Sequence, residues 1–296
     1  MQITQVQVKN FRCFDNKVID FAAAPIVLIQ GNNGSGKTSL LEALHYVCYL
    51  RSFRAPTPRD LIKLDTQEFF IKVQMADPDA DFGATHEVQV GVSAKKRIVK
   101  IDQKQVTSFK ELMDFYRVIT LTEDDLALIK EGPEYRRSFI DHALILLEPE
   151  SITLFKELRH VIDNRNALLH HHTVNNDSYV LWTEQLYAIS RTIAHKRIEL
   201  LAQFAAHMNQ VLADHFSKEL SIALEYKEKC SYAASFEEFR ASLGVLQEQE
   251  IRFRRSLFGA HLDDFRILFA NKQSIFHNHS TKLTVRGEHS RTITNS

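Results

Sequence analysis

The apolar positions change period several times along this chain. Ile3, Val6 and Val8 alternate with polar residues over positions 3 to 8, which predicts a first strand leading into "NFRCF". Ile26–Ile29 is a short unbroken apolar run, the pattern of a strand buried on both faces. From Thr38 onward Leu40, Leu41, Leu44, Val47 and Cys48 follow helical spacing. Between residues 69 and 106 the period drops to two in "FFIKVQM", "HEVQVGV" and "RIVKIDQKQV", with turns expected at Lys95–Lys96 and at Asp102–Lys104. Beyond about residue 108 the pattern is helical, with helices expected over 134–147, 151–170, 179–215 and 236–254 and breaks at Pro133, Pro149 and "VNND". Leu186, Ile189, Ile193, Leu200, Phe204, Met208 and Val211 form a stripe of the kind that packs a helical bundle.

The order is therefore a strand-rich part, a long helical part, and a short tail near 265–276 that returns to the first. The domains expected are residues 1–118, 119–258 and 259–296. No internal repeat or low-complexity tract interrupts them.

Composition narrows the class. Of 296 residues, 44% are apolar and 25% charged, the balance of a soluble globular protein. The formal net charge is zero, so any surface for nucleic acid must be local. Cys13, Cys48 and Cys230 are too far apart for a zinc pair or a redox CxxC. The polar start "MQITQVQVKN" is unlike a signal peptide, and no window reaches the ~18 apolar residues that span a bilayer, so a cytoplasmic location is expected.

The chemistry is concentrated in "GNNGSGKT", which fits G-x-x-x-x-G-K-[ST]. Gly31, Asn32, Asn33, Gly34, Ser35, Gly36, Lys37, Thr38 and Ser39 are the candidate ATP-binding residues. Glycines let successive N–H groups turn toward phosphate oxygens, and the following helix adds the partial positive charge of its N-terminus. Lys37 would reach the β- and γ-phosphates, and the Thr38 hydroxyl would ligate Mg²⁺.

The surroundings of this loop carry a wider pattern. "VKNFRCFDN" precedes it and "LEALHYVCYLRSFR" follows, which resembles the ATPase heads of the SMC, Rad50 and RecF group. "LRSFRAPTPRDLI" (50–62), "LTEDDLALIKEGPEYRRSFID" (121–141), "RNALL" (165–169) and "RRSLFGAHLDDF" (254–265) then resemble the RecF family in order and spacing. The resemblance spans nearly the whole chain. It implies an α/β fold, a P-loop ABC-type ATPase head with a mixed sheet and an antiparallel subdomain, carrying an all-α helical arm. It implies ATP and Mg²⁺ as cofactors and an ATP-dependent homodimer that closes on single-stranded or gapped DNA. RecR and RecO-like mediators, recombinase loading, SOS induction and weak ATP hydrolysis belong to the same implication. It also suggests a role near the nucleotide for Arg12; a salt bridge at the surface is the other reading of that residue. Arg51, Arg54, Arg136 and Arg137 are candidates for DNA phosphate contact, or else members of solvated faces.

Some of the family pattern is altered. The segment read as "GPHRDDF" in the family is "GAHLDDF" here, with Ala260 for proline and Leu262 for arginine. "VRGEHSRTI" is a degraded match to the signature region, with Val285 where serine is expected. Asp263 and Asp264 are adjacent carboxylates, but "FGAH" before them is not the apolar strand a Walker B motif needs. The expectation is a chain that stops before Walker B, with no catalytic carboxylate assigned and hydrolysis lost. The alternatives are a P-loop kinase of nucleotides or small molecules, a transporter ATPase, and an inactive remnant. "HHH" at 170–172 reads as a solvated helix end, and no covalent nucleophile motif is present.

Overall fold

The computed structural model describes residues 2–21, 26–76, 84–171, 176–232 and 235–271, with the backbone of 283–284. The chain divides into two compact units, Met1–Leu121 and Thr122–Ser296.

The first unit is built on one antiparallel sheet. Strands β1 (Gln2–Phe11) and β2 (Phe14–Asp20) form a hairpin with Phe11 opposite Phe14, and its turn holds Arg12 at φ 52°, in the left-handed region. After helix α1 (Lys37–Tyr49) come β3 (Glu68–Ala76), β4 (Thr85–Ser93), β5 (Arg97–Ile101) and β6 (Lys104–Val106). The strand order is β2-β1-β3-β4-β5-β6. Helix α2 (Phe109–Phe115) closes the unit, with the Ser108 hydroxyl accepting from the Lys110 N–H at its start.

Period two explains why this sheet has one apolar face. Val6 pairs with Val73 and Val73 with Val88; Val8 pairs with Ile71, Ile71 with Val90, and Val90 with Val99. All are buried, and α1 covers them with Leu40, Ala43, Tyr46 and Val47. The Tyr46 ring meets Phe69 edge-on at 5.3 Å, and Phe11 meets Phe69 at 5.1 Å. Full burial of each large aliphatic contributes roughly 1.5–3 kcal/mol. The two expected hairpin turns are present, and Asp102 and Gln103 both take positive φ, as a two-residue turn between twisted strands requires.

The expected strand at Ile26–Ile29 is not formed. Ile26 is 84% exposed and Leu28 78%, and among the described residues no strand pairs with the run. An apolar run becomes a buried strand only when neighbours satisfy its backbone groups and cover both faces.

The second unit is mainly helical. After α3 (Ala127–Lys130), α4 (Pro133–Leu147) starts with proline in its first turn, where the missing N–H has no intrahelical role. Helices α5 (Ser151–Leu169) and α6 (Asn176–His215) follow, then β7 (Leu220–Lys227), α7 (Phe236–Ala241), α8 (Gly244–Phe253), β8 (Asp264–Asn271) and β9 (Leu283–Thr284). The single helix expected over 236–254 is divided. The Ser242 hydroxyl bonds the Phe239 carbonyl at 2.6 Å and Gly244 follows, so a side chain competes with the helical ladder where backbone freedom is greatest.

The stripe on α6 is core only in part. Leu186, Ile189, Ile193 and Leu200 are buried against α5, α7 and α4, whereas Met208 and Val211 are exposed. Past that point the helix serves the small sheet by hydrogen bonding: the Asn209 amide donates to the Ile222 carbonyl at 2.8 Å and accepts from the Ile222 N–H at 2.7 Å. Of the expected tail, Asp264–Asn271 forms β8, paired with β7; Val285 and the signature-like segment lie outside the described residues.

A buried ion pair ties this unit together. Arg165 on α5 and Glu250 on α8 are both fully buried, joined by guanidinium–carboxylate bonds of 2.8 and 2.5 Å. Tyr179 donates to the same carboxylate at 2.7 Å, and the guanidinium lies over the rings of Tyr179 and Phe258. Removing one partner strands a buried charge. Glu250→Ala is therefore expected to lower unfolding stability by about 3–5 kcal/mol, read as a lower urea midpoint, while Arg165→Met with Glu250→Leu recovers most of the loss. A Glu250→Ala midpoint equal to that of the parent would refute this.

Candidate nucleotide site

The loop residues and the start of α1 form one structure with the β1–β2 turn. Gly34 and Gly36 take φ of 83° and 95°, values that side chains resist. Gly36 also has no room: a Cβ there would lie 2.7 Å from Phe14 Cζ and 2.9 Å from Cys13 Sγ. The hairpin turn thus presses directly on the residue where the loop becomes a helix. Sequence spacing marked Gly36 as part of a motif but could not show what crowds it.

Helix α1 begins at Lys37 with no side chain capping its first turn. Those N–H groups have no intrahelical acceptor, and the helix dipole leaves partial positive charge on them. The Lys37 ammonium donates to the carbonyls of Gly31 and Asn32 at 2.7 and 2.8 Å, so the loop curls around its own lysine. Asn32, Asn33, Gly34, Ser35 and Thr38 are exposed, while Gly36, Lys37 and Ser39 are half-buried. Glycine conformations, uncapped donors and an ammonium held at the centre fit a polyphosphate. Among the described residues no group of three or more His, Cys, Asp or Glu could hold a metal ion by itself.

Arg12 does not point an unpaired charge at the loop. Its Nε and Nη2 donate to the two carboxylate oxygens of Glu42 at 2.8 and 2.7 Å, and Nη1 donates to the Asp60 carbonyl at 2.9 Å. Glu42 is fully buried on α1, and the Ser52 hydroxyl also donates to it. The hydrogen bond to Glu42 raises the Arg12 pKa, with burial opposing. Glu42 and Ser52 were not singled out in the sequence, where Glu42 looks like one polar position between Leu41 and Ala43. The signal was a carboxylate on a helix that must pack against a sheet.

The four arginines proposed for DNA divide into two pairs. Arg51 and Arg54 follow α1 and are exposed. Arg136 is instead turned inward, bonded to both oxygens of Asp264 at 2.8 and 2.9 Å, and Arg137 donates to the Asp263 carbonyl at 2.9 Å. Asp263 is buried and accepts from the hydroxyls of Tyr226 and Tyr232 and from the Lys229 N–H. These carboxylates therefore organise the second unit. Ala260, standing where the family pattern has proline, uses the N–H that proline lacks, donating to Ser190 Oγ at 3.0 Å. His170 and His171 end α5, and His172 lies outside the described residues.

His45, two turns into α1, bonds Thr120 at 2.8 Å, and its pKa is lowered to about 4 by burial, with Arg51 adding to the effect and Glu42 opposing it. The unfolded state then binds a proton below about 6.5 that the folded state refuses until about 4, so stability rises with pH through that window. Acidifying from 6.5 to 4 is expected to cost on the order of 3 kcal/mol at this histidine, and His45→Asn should flatten that part of the urea-midpoint profile. Gly36→Ala should weaken nucleotide binding at least ~10-fold, from strain and collision with Phe14, in a calorimetric titration; unchanged affinity would show that the close approach is not needed.

Residues 5–256 match the family model described as the AAA domain. The DNA replication and repair protein RecF of Chloroherpeton thalassium is 28% identical over 282 residues, covering 92% of this chain and 76% of the relative. The protein of the same name from Natranaerobius thermophilus is 27% identical over 289 residues, covering 93% and 74%. Among solved structures, the recombination mediator protein RecF-ATPrS in the RecFOR pathway superposes with a TM-score of 0.79 at 22% identity, covering 90% of this chain and 73% of that one. The RecF-ATP structure gives 0.79 at 20% identity, covering 92% and 75%. The likeness is one of fold, antiparallel strands followed by a helical region. Among the described residues no helix is long and apolar enough to cross a membrane.

Proposed function

This chain belongs to the AAA domain family, and from that footing we propose that it is an ATP-binding, DNA-binding protein of recombinational repair and replication restart. The observation that carries the reading is the loop itself: Lys37 held at the centre of a glycine turn, against the uncapped start of α1. The names of the relatives, DNA replication and repair protein RecF, supply the process.

In this reading the N–H groups of Asn33 to Ser39 and the Lys37 ammonium hold the phosphates, and the Thr38 hydroxyl completes the shell of a Mg²⁺ ion carried by ATP. Bound ATP supplies concentrated negative charge at the loop. Arg12 acts one layer back, keeping α1 in register through Glu42. DNA, RecR- and RecO-like mediators and a second copy of the chain are the partners, with ATP favouring the dimer. Arg51 and Arg54 remain candidates for phosphate contact, on exposed positions after α1.

Replacing Lys37 by alanine removes charge-assisted bonds worth about 1.5–3 kcal/mol each, so ATP affinity is expected to fall on the order of 10–100-fold. In the parent chain ATP should tighten DNA binding, and that binding should weaken linearly in log–log form as salt rises. Calorimetry with ATP and anisotropy with labelled gapped DNA read both effects. ATP binding unchanged by Lys37→Ala would sink the nucleotide assignment, and salt-independent or absent DNA binding would sink the rest.

A further inference from the structure

The first unit has a second basic feature, at residues to which the sequence assigned no chemistry. A cavity of about 360 Å³ opens between the β4–β5 turn and the short helical turn Pro58–Leu61. Arg59, Lys95, Lys96 and Arg97 stand on its wall beside Thr57, and no carboxylate lines it. All four cationic residues are exposed, and none takes part in an ion pair among the described residues. The Asp60 carboxylate, next to Arg59 in the chain, is held by the Thr57 hydroxyl and N–H at 3.0 and 3.3 Å. Four like charges thus share one opening on a chain whose net charge is zero.

A second observation points into the same cavity. Tyr46 of α1 lines it, and the Tyr46 hydroxyl is buried with no hydrogen-bond partner. Arg97, whose guanidinium donates to the Leu50 carbonyl at 3.2 Å, can offer that hydroxyl only a further donor, so the O–H itself has no acceptor. A buried donor left without an acceptor is costly, and it is relieved by a ligand that brings one. The ring of Tyr46 is packed against Phe69, so it offers no face on which a base could stack. What fits an open, cationic wall with a hydroxyl donor and no stacking platform is a chain of phosphates read without regard to sequence.

We propose that the cavity walled by Arg59, Lys95, Lys96 and Arg97 seats the phosphate backbone of DNA, with the Tyr46 hydroxyl as a donor to one phosphate oxygen. This rests on the DNA-binding reading given above and assigns that binding to residues of the first unit. It also gives α1 two phosphate sites, a nucleotide at its first turn and DNA beside Tyr46, roughly 14 Å further along the helix axis. A shift of α1 on nucleotide binding is then felt directly at the DNA wall.

The test uses the whole chain, labelled gapped duplex DNA with ATP present, and a salt titration. In Lys95→Gln with Lys96→Gln, the slope of log affinity against log salt should become shallower by about 1.8, since each lost phosphate contact removes about 0.9. Tyr46→Phe should lose affinity about tenfold with the slope unchanged, because the lost bond is not ionic. Both variants should bind ATP as the parent does. Parent-like DNA affinity and slope in both variants would overturn the cavity and leave the DNA-binding reading standing. A parent that binds ATP but no DNA would overturn both. Poly-glutamate competing as well as unlabelled DNA would overturn the choice of DNA and assign the wall to an acidic protein.

Discussion

The buried carboxylate of Glu42 is the constraint on which the first unit turns. A carboxylate with no exposed surface is tolerable only when a cation and hydrogen-bond donors surround it. Arg12 supplies a bidentate guanidinium from the β1–β2 turn, and Ser52 supplies a hydroxyl from the segment after α1. Helix α1 is therefore gripped from both sides, and its rotation and register against the sheet follow. The phosphate loop inherits that placement, because Gly36 meets Phe14 and Cys13 from the same hairpin that carries Arg12. A motif that looks local in sequence is thus positioned by residues more than twenty places away.

The second unit uses the same device more than once. Arg165 closes on Glu250, Arg197 on Asp141 and Arg136 on Asp264, each a planar guanidinium matched to two carboxylate oxygens or to a ring of acceptors. Arg197 also donates to the Ala260 carbonyl and is nearly fully buried. Such pairs specify one arrangement of helices, since a slipped helix would leave a buried charge alone. Two of the arginines that the local sequence offers to DNA, Arg136 and Arg137, are spent on this internal order. Exposed cations gather instead on the β4–β5 turn and beside Pro58.

One helix connects the two proposed chemistries. The first turn of α1 presents N–H groups and Lys37, and its second half presents Tyr46 to the cationic wall. On either side of Tyr46, His45 and Tyr49 anchor the helix to Thr120 and Val118. A rigid element with a site near each end transmits small displacements without a chain of intermediate contacts, which is the simplest physical route by which ATP could alter DNA affinity.

The sequence by itself determined a good deal. Period two placed β3 to β6, helical spacing placed α4 to α6, and eight residues marked a glycine turn leading into α1, because these signals depend on neighbours within a few positions. The order of longer motifs pointed to the family. What only the tertiary structure decided depends on partners distant in the chain. It left Ile26–Ile29 without strand neighbours, exposed the far end of the α6 stripe, and turned Arg136 inward. It paired Arg12 with Glu42 and gathered Arg59, Lys95, Lys96 and Arg97 around one opening. A charge reads the same in sequence whether it faces water or a buried carboxylate, and packing alone distinguishes the two.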